Sequence, residues 1–97
     1  MANIKVAFDV DGTLINFGDT PRYEIVNQFL FYKSLEHDVI IWSGGGCEHS
    51  KMVSERFGLA ARIIEKWSEE VDIAYDDLTV LSEEKSLRKV AKVIIVV

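Results

Sequence analysis

The run Val39-Ile40-Ile41-Trp42 contains no polar side chain and stops abruptly at Ser43-Gly44-Gly45-Gly46. An unbroken apolar run of this length suits a parallel strand covered on both faces, so it calls for a sheet with helices packed over it. Two more strand-forming runs end in polar residues. Ile4-Lys5-Val6-Ala7-Phe8 leads into Asp9-Val10-Asp11-Gly12-Thr13, which places a strand at about residues 3–9, and a strand over Val71 to Tyr75 leads into Asp76-Asp77. A short strand around Ala61 to Ile64 and a closing buried strand at Val93 to Val97 complete the set.

Helical patterns separate these strands. Thr20-Pro21 reads as an N-cap followed by proline in the first helical position, and Ile25, Val26, Phe29 and Leu30 share one face, predicting a helix from Pro21 to Leu35. Met52, Val53 and Phe57 form a second stripe that stops at Gly58, where a glycine at C′ would let Leu59 fold back onto Val53. Ser82 to Lys89 carries a less regular helical pattern. Strands alternating with helices imply right-handed crossovers and a doubly wound α/β fold, its sheet mostly parallel with helices on both faces. With 97 residues the expectation is a single domain, 1–97, with no large cap and therefore an open site.

Ligands of such sheets bind beyond the C-terminal ends of the strands, where the strand order reverses. Asp9 with Asp11, Ser43 with its glycines, and Asp76 with Asp77 should then meet at one edge. A carboxylate can attack phosphorus directly, and a second acid close by can protonate the departing oxygen, so Asp9 and Asp11 are candidates for nucleophile and general acid. An Asp-Gly turn after a strand is common, and the pair alone decides nothing. Acids clustered as Asp9, Asp11, Asp76 and Asp77 would repel one another without a cation, and an all-oxygen set favours a hard ion such as Mg²⁺.

Ser43 and Gly44 offer a hydroxyl and an unobstructed N–H to a phosphate oxygen at what should be a helix N-terminus. The loop is neither a Walker sequence nor a dinucleotide fingerprint, and capping the helix is the plainer role for Ser43. Lys66, in Ile63-Ile64-Glu65-Lys66-Trp67, is the candidate to balance phosphate charge, with Lys51 and Lys85 as alternatives. Cys47 reads as a small core residue and His49 as a helix-surface one, too few soft ligands for zinc. Trp42 reads as core, and Trp67 either lines the mouth of the site or packs.

Eleven basic against sixteen acidic side chains, a formal charge of −5, argue against an extended nucleic-acid face, which works by neutralising phosphates. A single Cys47 forms no intrachain disulfide, and Met1-Ala2-Asn3-Ile4-Lys5 has no leader architecture, so cytoplasmic surroundings are expected. The longest apolar run falls far short of the roughly 20 residues that span a bilayer, so no membrane association is expected.

Strand-DVDGT, strand-Ser-Gly, a lysine and strand-Asp-Asp, in that order, resemble the haloacid dehalogenase-like (HAD) superfamily over nearly the whole chain. The resemblance implies a Rossmann-like core acting as a phosphatase on a phosphorylated small molecule or macromolecule. Asp9 would be nucleophile and Mg²⁺ ligand, and Asp11 general acid and base, lending its backbone carbonyl to the metal. Ser43 and Gly44 would hold the phosphoryl group, Lys66 would steady it, and Asp76 would complete the metal sphere beside Asp77. An acid at position 11 resembles the phosphatases of that superfamily rather than its dehalogenases or ion pumps. The cap of many relatives is missing, the lysine motif is loosely matched, and Leu78 to Lys92 has no counterpart.

Two other readings compete. A phospho-receiver domain also combines acids, Mg²⁺ and an aspartyl-phosphate, but it would leave the Ser-Gly-Gly-Gly loop unexplained. A catalytically idle binding module on the same scaffold is the third. The apolar Val93–Val97 run gives a reason to look for self-association into a homo-oligomer, since uncovered edge strands pair readily.

Overall fold

The computed structural model describes residues 3–78 and 81–97. Met1-Ala2, part of the start read as carrying no leader, and Thr79-Val80, in the stretch without a counterpart, lie outside the described residues. The elements run β1 (Lys5–Phe8), α1 (Tyr23–Ser34), β2 (Asp38–Ile41), α2 (Cys47–Phe57), β3 (Arg62–Ile63), β4 (Val71–Asp76), α3 (Leu81–Arg88) and β5 (Ala91–Val96).

All five strands are parallel, in the order β3-β2-β1-β4-β5. The chain is thus a small α/β fold with β1 at the centre of its sheet. Because successive strand residues face opposite sides, the apolar runs divide between two clusters. Val6 and Phe8 of β1, Val39 and Ile41 of β2, and Tyr75 of β4 pack with Ile25 and Phe29 of α1 and Val53 of α2. Ala7, Ile40 and Ala74 pack instead with Trp42 and with Leu87 of α3. Phe8 anchors the first cluster, stacking on Tyr75 at 4.5 Å between centroids and meeting Phe29 edge-on at 5.3 Å.

Helix α1 begins later than the Thr20-Pro21 signal predicts. Pro21 pairs with Ile15 in an isolated bridge, and Arg22 N–H bonds to Leu14 O at 2.8 Å, so the chain stays extended up to Arg22, the N-cap. No side chain caps the helix there. Tertiary pairing with the segment after β1 has overridden the local signal. The stop of α2 does follow its sequence: Gly58 is left-handed at φ 65°, and Leu59 N–H returns to Ser54 O at 2.9 Å, placing Leu59 in the same cluster as Val53. Among the described residues, no helix is long and apolar enough to cross a membrane.

Candidate active site

Strand register brings the three polar strand ends together. Phe8 lies beside Ile41 on one side and Tyr75 on the other. The ladder continues one step further, with Asp9 N–H bonded to Tyr75 O at 3.0 Å and Trp42 N–H to Phe8 O at 3.1 Å. Asp9, Ser43 and Asp76 therefore leave adjacent strands at the same edge. A cleft of about 180 Å³ opens there, lined by Asp9, Asp11, Phe17, Ser43, Gly44, Gly45, Lys66 and Asp77.

The turn after β1 is built around Gly12. Its φ of 79° is one that residues with a Cβ rarely adopt, and a Cβ here would collide with Asp77 Oδ2. The N–H groups of Thr13, Leu14 and Ile15 all turn back to Val10 O. Thr13, fully buried, directs its hydroxyl at Asp9 Oδ2 from 3.4 Å. Arg22 donates to the Gly12 carbonyl at 2.6 Å and to Glu24, so it braces this turn from behind rather than lining the cleft.

Lys66 stands in a tight turn, closed by Ser68 N–H on Glu65 O at 3.2 Å, whose next residue Trp67 takes a left-handed φ of 67°. A non-glycine residue in that region is strained, and here the turn aims Lys66 inward. Its ammonium donates to Asp9 Oδ1 at 3.1 Å, lies 2.7 Å from Asp76 Oδ2 and sits 5.1 Å above the Trp67 ring. Lys51 and Lys85 are exposed. Trp67 thus packs beside the site without joining the residues that line the cleft.

Three carboxylates face one ammonium. Asp9, Asp76 and Asp77 each offer an oxygen, all within 4.8 Å of one another. Burial, followed by the Asp76 charge, raises the Asp9 carboxyl from its ordinary 3.8 to about 7, although Lys66 pulls the other way. Asp77 is also raised, by burial and then by the neighbouring Asp76 carboxyl. Burial opposes the Lys66 charge, but Asp9 and Asp76 outweigh it and hold the lysine above its ordinary value. Asp76 Oδ1 accepts from Leu78 N–H at 3.0 Å, whereas the buried Oδ2 faces the Lys66 ammonium. Three carboxylates whose oxygens lie this close together, facing a single ammonium, form a hard-donor set that fits a small divalent cation.

The chain matches no protein-family model and no curated protein. What the site can do must be read from its own atoms.

Ser43 Oγ accepts the Gly45 N–H at 3.0 Å, which leaves the Ser43 O–H itself free to donate into the cleft. Ser43 does not cap α2, whose N-cap is Gly46. The Asp11 carboxylate meets a partner that its sequence neighbourhood did not reveal: both oxygens lie 3.1 Å from His49 Nε2. His49 is not a bare surface residue. Its ring packs where a side chain on Gly45 would stand, with Cδ2 3.5 Å from that position. Cys47, read as a core residue, is instead half-exposed, its Sγ 3.8 Å from Glu65.

Proposed function

We propose that the chain is a Mg²⁺-dependent phosphomonoester hydrolase that works through an aspartyl-phosphate on Asp9. The observation that carries this reading is Asp9 itself: a nearly buried carboxylate at the base of an open cleft, fixed by Lys66 and Thr13, with Ser43 and Asp11 on the same cleft wall. Asp9, Asp76 and Asp77 would hold Mg²⁺, together with the Asp11 carbonyl that the family resemblance implies. The ion would offset phosphoryl charge that otherwise repels an anionic nucleophile.

Lys66 and the Ser43 hydroxyl orient the phosphoryl oxygens. An Asp9 oxygen attacks phosphorus, forming one P–O bond while the ester P–O bond breaks, and Asp11 gives its proton to the departing alcohol oxygen. A water then attacks the aspartyl-phosphate. Asp11 takes a proton from it, and cleavage of the Asp9 O–P bond releases phosphate and restores the carboxylate. Ester and water become alcohol and phosphate, with both acids returned to their starting states.

The layout we infer for the molecule is a doubly wound, capless HAD-like core in one domain. In support, α1 and α2 share one apolar cluster while α3 contributes to the other, and the central β1 carries the nucleophile at the point where the chain order turns. Receiver-type sheets run in the order 2-1-3-4-5, which differs from the β3-β2-β1-β4-β5 order here. The test is hydrolysis of a chromogenic phosphate ester with and without Mg²⁺, beside Asp9→Asn. Turnover that requires both the metal and Asp9 is expected, and metal-independent turnover or an active Asp9→Asn protein would refute the mechanism.

A further inference from the structure

Phe17 is the most exposed large apolar side chain of the described residues, at 78%, yet it lines the cleft beside Asp9, Asp11 and Lys66. Its position is not that of a loose loop tip. The segment 16–20 is closed by Asn16 N–H on Thr20 O at 2.8 Å, by Asp19 N–H on Asn16 O at 2.9 Å, and by Asn16 Nδ2 on Thr20 Oγ1 at 3.0 Å. Asp19 takes a left-handed φ of 60° to complete the closure. At its inner end the loop joins the bridge that pairs Ile15 with Asp11 and Pro21. The ring reaches back over the nucleophile turn, with Cζ 3.3 Å from where a Cβ on Gly12 would stand.

Two features of the cleft restrict what can cover this ring. A substrate whose phosphoryl group sits at Asp9, Ser43 and Lys66 must lead its leaving group past Asp11, the proton donor, and so along the wall that Phe17 forms. That wall is acidic: Asp11 and Asp77 line it, and among the described residues lining the cleft Lys66 is the one cation, already engaged by Asp9 and Asp76. As Asp11 gives up its proton it becomes anionic, so a second phosphate or a carboxylate on the leaving group would meet growing negative charge with no disengaged cationic side chain among the described residues that line the cleft.

Resting on the hydrolase reading, we propose that Phe17 is the leaving-group platform of the site and selects monophosphate esters of uncharged aromatic groups. An aromatic ring on an aromatic ring gains about 0.5–1.5 kcal/mol beyond its buried area, enough for roughly a two- to tenfold preference over a saturated ring of equal size. The group is exposed, so its removal leaves the core intact.

The experiment compares kcat/KM for benzyl phosphate and cyclohexylmethyl phosphate, whose leaving alcohols are alike in acidity and size, in the wild-type protein, Phe17→Ala and Phe17→Trp. The wild type should favour the benzyl ester several-fold, Phe17→Ala should bring the ratio close to one, and Phe17→Trp should keep it. Thermal melts establish that the variants are folded. Equal turnover of the two esters by the wild type, or an unchanged ratio in Phe17→Ala, overturns the platform and leaves the hydrolase standing. Turnover of neither ester by folded wild-type protein overturns the hydrolase and the platform with it. Faster turnover of 4-carboxybenzyl phosphate than of benzyl phosphate would overturn the requirement for an uncharged group.

Discussion

At the scale of single residues, the site depends on side chains that hold others in place. In the proposed mechanism Asp11 would present its carboxyl to a departing oxygen, and His49 meets both of its oxygens at 3.1 Å. An imidazole protonated at Nε2 can donate to Asp11 as a carboxylate and to the carbonyl oxygen of the carboxylic acid, so it can hold Asp11 in both states the mechanism requires while leaving the acid proton free. Removing the ring should leave Asp9 able to attack but Asp11 poorly aimed. We expect His49→Ala to lower kcat roughly tenfold for esters with poor alkyl leaving groups, part of the 10²–10⁴ that general acid catalysis supplies. Esters with good leaving groups, which need little protonation, should be spared, and His49→Gln should recover part of the loss. Equal losses on both kinds of ester would assign His49 a purely structural role.

At the scale of elements, helix α1 is held by the face it buries rather than by a side-chain cap. Helix α1 has no side-chain cap, and its attachment rests on Ile25 and Phe29 against the strands. Phe29 is fully buried against Phe8, whereas Phe31, two residues on, is 58% exposed. Phe29→Ala should therefore cost about 3–5 kcal/mol and Phe31→Ala within about 0.5 kcal/mol, read as midpoint shifts in urea unfolding. Comparable shifts would mean that α1 does not pack as described. The strands were legible because an apolar run ended by Asp, Ser or Gly is a local pattern, and the parallel sheet follows from their alternation with helices. The start of α1 was not legible, since Pro21 obeys a bridge to Ile15 rather than its own capping signal. Nor was the partner of Asp11: a contact across 38 residues leaves no periodicity in the sequence. Lys66 could be nominated but not placed, because the strained turn at Trp67 that aims it has no glycine to announce it.

Across the whole molecule, the same acids that build the site weigh on folding. Asp9 is raised from 3.8 to about 7 in the folded chain, chiefly by burial and next by Asp76. Between those values the folded state keeps a proton that the unfolded chain releases, so the stability tied to that proton is complete below about pH 4 and is lost as pH rises through about 7. Lys66, shifted upward, stays charged throughout this window, and the lowered Glu69 and Asp72 lose their contributions only in acid. Without metal, the melting temperature should therefore fall between about pH 5 and about pH 8, and a loss of ~1 kcal/mol would lower it by about 4–8 °C in a domain of this size. A divalent cation that binds only the folded chain reverses this by mass action, most strongly at about pH 8, where Asp9 is ionised and ready to receive it. Melts across this range with EDTA and with millimolar Mg²⁺ give both slopes, and Asp9→Asn should flatten the first and diminish the second. A melting temperature indifferent to pH and to Mg²⁺ would mean that the carboxylates at the sheet edge are neither strained by their burial nor relieved by a cation.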